Sequence, residues 1–375
     1  VSAKIFGEAS VLRKIGIFFP VAVLSLAAPA VAKDNALQMV SIDVEGGGGT
    51  LFVTPDGKSL LIDTGNPEHS TITGAHPSSE RIVAAANALG VKKLDYLLIT
   101  HYHGDHIGGL EGLLARIPIK TVIDHGINRE TTASTLPGAA QIDLNNPPPG
   151  STAYGYQQYV KLIGKRRHII AKPGDVFKIG GMSVTIVAAD GMMIAKPLPG
   201  AGEENPSCAG MEPMTNNGGE ENARSTASVI SYGKARIAAF GDLTWDREKD
   251  LFCPTDKVGK VDVYLATHHS TALSGSPAAV NALAPIVAIV GNSARKGDDP
   301  ERIKTIEDSP RIQDIWRLHA STVNPGIDGD PNLIANLDAD QSKDHFYSLR
   351  LRIMKDGEVT VINERSGFNK TYQAK

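Results

Sequence analysis

The sequence predicts a mixed α/β fold on three observations. Short apolar strands alternate with amphipathic helical segments, Gly- and Pro-rich turns separate them, and the most conspicuous polar residues follow strand ends. With 375 residues, 41% of them hydrophobic, the chain can bury a substantial core. Its net charge of -3 carries no excess of the kind that favours a nucleic-acid or membrane-surface partner.

At the N-terminus Arg13 and Lys14 precede the apolar stretch Ile15 to Ala28, which is followed by Ala30-Val31-Ala32. That order reads as a signal peptide over residues 1–32, cleaved before Lys33, leaving 33–375 as a periplasmic or secreted chain with no membrane attachment. An uncleaved anchor is the rival reading, since the apolar run is barely long enough to span. Export would place Cys208 and Cys253 in an oxidising compartment, where a disulfide between them is plausible and two buried thiols are the alternative. Neither lies in a C-x-x-C spacing, so thiolate metal ligation is not expected.

From Leu37 onward, Met39 to Val44, Thr50 to Thr54 and Ser59 to Ile62 read as strands separated by Gly46-Gly47-Gly48-Gly49 and Pro55-Asp56-Gly57. Glu80 to Leu89 has helical spacing and stops at Gly90, and Leu94 to Thr100 is a continuous apolar run of buried-strand length. Ile107 to Ile117 predicts a helix and Thr121 to Ile123 a short strand ending at Asp124-His125-Gly126. Residues 127–150 read as a loop insertion, Tyr154 to Ile163 as a helix, and His168 to Ala171, Val176 to Ile179 and Met182 to Ala188 as strands. The Gly-, Pro-, Asn- and Glu-rich residues 191–223 form a second long insertion. Strands follow at Ala227 to Ser231, Ala235 to Phe240, Val261 to Ala266 and Ile286 to Val290, with a final hairpin around Asp356-Gly357. No repeat or sharp linker divides 33–375, and a layered αβ unit is the simplest account.

The run His101-Tyr102-His103-Gly104-Asp105-His106 directly follows an apolar strand. Three imidazoles and a carboxylate packed this closely, among small glycines, point to a metal site. The donor chemistry suits zinc, with manganese or iron as alternatives. Asp242 follows a strand and Gly241, where it is either a ligand or a helix cap. His268 and His269 follow another strand; adjacent strand residues face opposite ways, so at most one of the pair is expected at a metal. Arg224, two residues after Asn222, is either an anion-binding residue or a surface arginine. His69, His76, His168, His319 and His345 read as surface residues.

The H-x-H-x-D-H run, preceded by Leu61-Ile62-Asp63-Thr64-Gly65, resembles the metallo-β-lactamase superfamily. Ser41-Ile42-Asp43-Val44 with the glycine run, Asn222, Gly241-Asp242 and His268-His269-Ser270 resemble the hydrolase domain of competence (ComEC-like) proteins, over most of Leu37 to Gly291. The resemblance implies a four-layer αββα sandwich with two divalent metals. His101 and His103 would hold one, Asp105 and His106 the second, with Asp242 bridging and His268 completing the second site; Asn222, Arg224 and His269 would meet substrate. The family's third ligand to the first metal, a histidine after a mid-domain strand, is missing, because that strand ends in Ala188-Ala189-Asp190-Gly191. His125 is favoured for the role and Asp190 is the alternative. A second departure is Ser270, where a glycine is usual.

The implied activity is hydrolysis by a water activated between two cations, with Asp105 also relaying a proton, on a small or polymeric phosphodiester or ester substrate. No stable nucleic-acid complex is expected, and the multiple membrane spans of a DNA-uptake transporter are not in this sequence. β-Lactam or lactone hydrolysis is a second reading, weakened because the resemblance implies that true β-lactamases generally lack the bridging carboxylate. A non-catalytic, metal-stabilised binding protein, with the two long loops as its recognition surface, is the third.

Overall fold

The structure, a computed structural model, describes residues 1, 2, 4, 35–68, 76–135, 138–211, 219–340, 343 and 345–374. The expected signal peptide, save three of its residues, and His69 lie outside the described residues. Contacts divide the chain into Val1–Asp34 and Asn35–Lys375, and every described strand and helix belongs to the second unit.

One sheet runs in the order β18 (Asn369–Gln373), β17 (Glu358–Asn363), β16 (Leu349–Ile353), β1 (Leu37–Ser41), β2 (Thr50–Val53), β3 (Ser59–Ile62), β4 (Leu94–Leu98), β5 (Ile119–Asp124) and β6 (Arg167–Ile170). It is antiparallel up to β3 and parallel from β3 to β6. The other runs β15 (Ile334–Asn336), β14 (Asp314–His319), β13 (Val287–Val290), β12 (Val263–Leu265), β11 (Ala235–Ala239), β10 (Ala227–Tyr232), β8 (Met182–Ala189) and β7 (Val176–Ile179), with β9 (Met192–Met193) beside β8. Its strands are parallel from β15 to β11 and antiparallel beyond.

The two-residue period of a strand sends alternate side chains to opposite faces, and here both faces are covered. Leu60 and Ile62 of β3 enter the core between the sheets, where Ile237 and Ala239 of β11 meet them. Leu61 turns outward onto α1 (Ser78–Ala88), α3 (Leu110–Arg116) and α4 (Thr152–Ile163), which contribute Ile82, Leu113 and Tyr159 to that layer. Ala238 turns the other way, onto α5 (Trp245–Phe252), α6 (Pro277–Leu283) and α7 (Pro300–Glu307). The result is the four-layer αββα arrangement. Burial on both faces explains why Leu97 to Ile99 is apolar without alternation.

The helix expected over Ile107 to Ile117 is broken into α2 (Gly104–Ile107) and α3, with Gly108 and Gly109 between. A Cβ at Gly109 would lie 2.1 Å from the Thr64 carbonyl oxygen, so the glycine is needed where this segment presses on the Asp63 loop. The expected C-terminal hairpin gains a third strand, since β18 pairs along β17. Cys208 and Cys253 are joined in a disulfide that ties the 191–223 insertion to the end of α5. His76 and His345 are exposed, as expected. His319 is a correction: it is buried and donates from Nε2 to Asp43 at 2.8 Å, because β14 delivers it into a polar cluster with Arg81 and Asn336. His168 is exposed too, as expected, and its Nε2 donates to Asp124 at 2.7 Å. Among the described residues, no helix is long and apolar enough to cross a membrane.

Candidate metal centre

The residues singled out in the sequence sit where strands end. Asp63 follows β3, the histidine run follows β4, Asp242 follows β11, and His268 and His269 follow β12. Parallel neighbours point their carboxyl ends the same way, so these loops gather at one edge of the sheets.

Asp242 stands at the middle. Its Oδ1 lies 3.3 Å from Nε2 of His106 and 3.6 Å from Nε2 of His269. Its Oδ2 lies 3.3 Å from Nε2 of His268 and 3.9 Å from Nε2 of His101. Asp105 Oδ2 is 3.5 Å from His106 Nε2 and 3.4 Å from His269 Nε2, and His103 Nδ1 is 3.0 Å from His101 Nε2. Asp105, His106, Asp242 and His269 each offer a ligand atom within 4.8 Å of the others.

Every one of these imidazoles is steered by a bond on its other nitrogen. His106 Nδ1 donates to Asp63 at 2.7 Å, and His269 Nδ1 donates to the Gly291 carbonyl at 3.0 Å. His103 Nε2 meets Glu130 at 3.3 Å, His101 Nδ1 meets Thr100 Oγ1 at 3.1 Å, and His268 Nδ1 meets Ser274 Oγ at 3.2 Å. Thr100 Oγ1 in turn donates to Asp63 at 2.7 Å. Orienting one nitrogen and leaving the other's lone pair aimed at a shared centre is how proteins prepare histidines for a metal. The Nε2 atoms of His106 and His269 are buried with no hydrogen-bond partner, a cost that a bound cation would remove. The donor set therefore fits divalent cations of the zinc, manganese or iron type.

Both adjacent histidines reach the centre, which strand alternation alone would forbid. The chain leaves β12 and passes through left-handed conformations at His268 (φ 55°), His269 (φ 56°) and Ser270 (φ 61°). This rotates the two rings onto opposite sides of the Asp242 carboxylate. Such residues cost roughly 1–2 kcal/mol each, and strain of this kind collects at functional sites.

Electrostatics follow the same geometry. Burial opposes charge on His106, but Asp242, Asp105 and Asp63 outweigh it and hold its pKa well above the usual histidine value. Burial, with His106 and His103 close by, pushes His101 well below it, and burial pushes His268 down to about 4. Despite burial, Lys296 and His106 hold Asp105 ionised, and His268, His106 and His269 do the same for Asp242. A buried cluster with fixed negative charge, in which His101 and His268 are kept neutral, favours a cation.

Other expected site residues lie elsewhere. His125 is buried with its Nε2 on Glu221 at 3.0 Å and its ring on Tyr102, bracing the loop that Glu221 also holds through the Arg129 amide. Asp190 pairs with Arg224 at 2.9 Å and with Arg129 at 3.4 Å. Arg224 is thus directed at Asp190, whereas Asn222 lines a cavity of about 380 Å³ together with His103, Asp105, Asp242 and His268. Ser134 and Gly150 of the 127–150 insertion line it too, with Ser151 and Thr152 at the start of α4. Sequence reasoning passed over Lys296, whose Nζ is 2.5 Å from Asp105 Oδ2, and Glu130. Neither sits in a recognisable spacing; Glu130 carried only its place soon after His125 in a loop.

Residues 45–202 match the family described as Metallo-beta-lactamase superfamily. The Beta-lactamase-like protein 2 homolog of Caenorhabditis elegans is 32% identical over 92 residues, which is 22% of this chain and 29% of that protein, so the match spans under a third of that relative. The metallo-beta-lactamase fold protein YhfI from Bacillus subtilis is similar at 14% identity and a TM-score of 0.44, covering 75% of this chain and 96% of that one. CmlA, a diiron beta-hydroxylase from Streptomyces venezuelae, is similar at 15% identity and a TM-score of 0.36, covering 73% of this chain and 49% of that one. With its αββα layers and the histidine run at the end of β4, the chain has the mixed α/β metallo-β-lactamase fold, and its segment 45–202 matches the model of that superfamily.

Proposed function

We propose that this chain is an exported hydrolase that uses two divalent cations, zinc or alternatively manganese or iron, to cleave a phosphodiester or ester bond. The observation that carries the reading is the split of Asp242, with Oδ1 toward His106 and His269 and Oδ2 toward His268 and His101. A carboxylate shared in this way is the natural bridge between two cation sites. On this reading His101, His103 and His268 serve one site, and Asp105, His106 and His269 the other. His268 takes the place for which His125 and Asp190 were candidates, and His269 moves from substrate contact to ligand.

Paired cations supply an acidified water and polarise a substrate oxygen at neutral pH. The chain's own residues do the rest. Asp105 stays ionised at the cavity wall and is placed to accept or relay a proton. Asn222 lines the same cavity and is placed to orient a polar substrate, whereas the Ser151 and Thr152 hydroxyls donate to the Pro148 carbonyl and to Glu130.

The test is metal analysis of purified protein, joined to turnover of bis-p-nitrophenyl phosphate beside a chromogenic cephalosporin. Two cations per chain and phosphodiester cleavage support the reading. Activity on the cephalosporin alone would reverse the substrate order, and absence of transition metal after supplementation would sink the proposal.

A further inference from the structure

We infer that Lys296 is the specificity-determining residue of this site, selecting substrates with an anionic group such as a phosphodiester. The inference rests on the hydrolytic reading above and names its substrate class. Among the described residues lining the 380 Å³ cavity, Lys296 is the only lysine or arginine. Arg224, the anion-binding candidate from the sequence, has its guanidinium on Asp190 instead.

The position of Lys296 is built. It lies on the loop after β13, where Ser293 and Lys296 form an isolated bridge. Gly297 (φ +88°) packs so closely that a Cβ there would lie 2.2 Å from the His269 carbonyl oxygen. The same loop abuts the glycine run, and Lys296 Nζ donates to the Gly46 carbonyl at 2.8 Å as well as to Asp105. The ammonium is therefore held at the cluster by contacts on either side, while 39% of its side chain stays exposed and the residue lines the cavity.

Its charge is what the arrangement uses. Asp105 is the carboxylate that Lys296 neutralises, and it is also a cation-ligand candidate. When a divalent cation takes up the Asp105 charge, the ammonium faces a like charge and is best satisfied by an anion lying between them. A non-bridging phosphate oxygen meets that need while its phosphorus lies beside Asp105 and Asp242. A neutral ester gains nothing from it.

The test uses the full chain loaded with cations, comparing wild type, Lys296→Gln and Lys296→Arg. Inorganic phosphate binding is read by calorimetry, and kcat and KM are measured on bis-p-nitrophenyl phosphate and p-nitrophenyl acetate. The glutamine variant should bind phosphate about ten- to a hundredfold more weakly at unchanged metal content. Its preference for the phosphodiester over the ester should fall by at least about tenfold, mainly through KM, and arginine should restore most of both. Equal phosphate binding by wild type and Lys296→Gln, an unchanged preference, or loss of phosphate together with metal would each overturn the inference. If wild type hydrolyses neither substrate, the hydrolytic reading fails while phosphate binding still decides the role of Lys296.

Discussion

Asp63 accepts a hydrogen bond of 2.7 Å from Nδ1 of His106, and the same carboxylate accepts from the Thr100 hydroxyl and amide. One buried side chain at the end of β3 thereby orients the histidine run after β4. Asp63→Asn keeps the size but weakens the acceptor facing His106. Metal affinity should fall about ten- to a hundredfold, with the fold retained, as read by metal titration and circular dichroism. Unchanged affinity would mean that Asp63 serves the loop alone.

On the proposed reading, Asp242 and the histidine pair divide two cation sites. His268→Ala and His269→Ala should each retain one cation of two, and Asp242→Ala should weaken both sites. Activity of Asp242→Ala should drop by about a hundredfold or more, since even outer-sphere partners are worth about ten- to a hundredfold. Metal content after dialysis checks the stoichiometry. Full occupancy in His268→Ala, with loss in His125→Ala, would restore the assignment of His125 to the first cation.

The disulfide closes a loop with a sequence separation of 45. Chain-entropy reasoning gives about 4 kcal/mol for a loop of that length, less whatever order the unfolded chain retains. A Cys208→Ala/Cys253→Ala double variant should lose stability of this order in denaturant titration while keeping the candidate metal cluster, whose imidazoles and carboxylates come from neither α5 nor the 191–223 insertion. Loss of metal together with stability would tie the disulfide to the site.

Glu248 accepts from the backbone amides of Gly275 and Ser276 at 2.9 and 2.7 Å, yet burial pushes its carboxyl up to about 7. A carboxyl raised above its unfolded value of 4.5 favours folding in its protonated form. That contribution is full below about pH 4.5 and is lost as pH rises through about 7, on the order of 3 kcal/mol in all. Asp298, raised by burial to about 6, acts in the same direction. Urea titrations at pH 5 and pH 8 should show a smaller loss of stability across that interval in Glu248→Gln than in wild type. Parallel pH profiles would show that Glu248 is not the group responsible.

Much was legible before folding was considered. Turn residues and apolar runs marked most strands within a residue or two, because those signals are local. The run from His101 to His106 declared a metal site because its donors are packed into a single strand-end loop. The glycines between α2 and α3 were visible, but the close approach to Thr64 that they permit was not, since it depends on a loop forty residues earlier in the chain.

By itself, then, the sequence determined the αβ alternation, the strand-end placement of the motifs, and a cation-binding chemistry of imidazole and carboxylate. Only the tertiary structure decided which donors share a centre. It turned His125 to Glu221 and His319 to Asp43, brought His268 and His269 together across Asp242, and set Lys296 on Asp105. The physical reason is that period and propensity act between neighbours in the chain, whereas a site at sheet edges is assembled from distant strand ends. Which side chains meet there depends on how two sheets pack and on backbone turns, such as the left-handed run at 268–270, that no spacing announces.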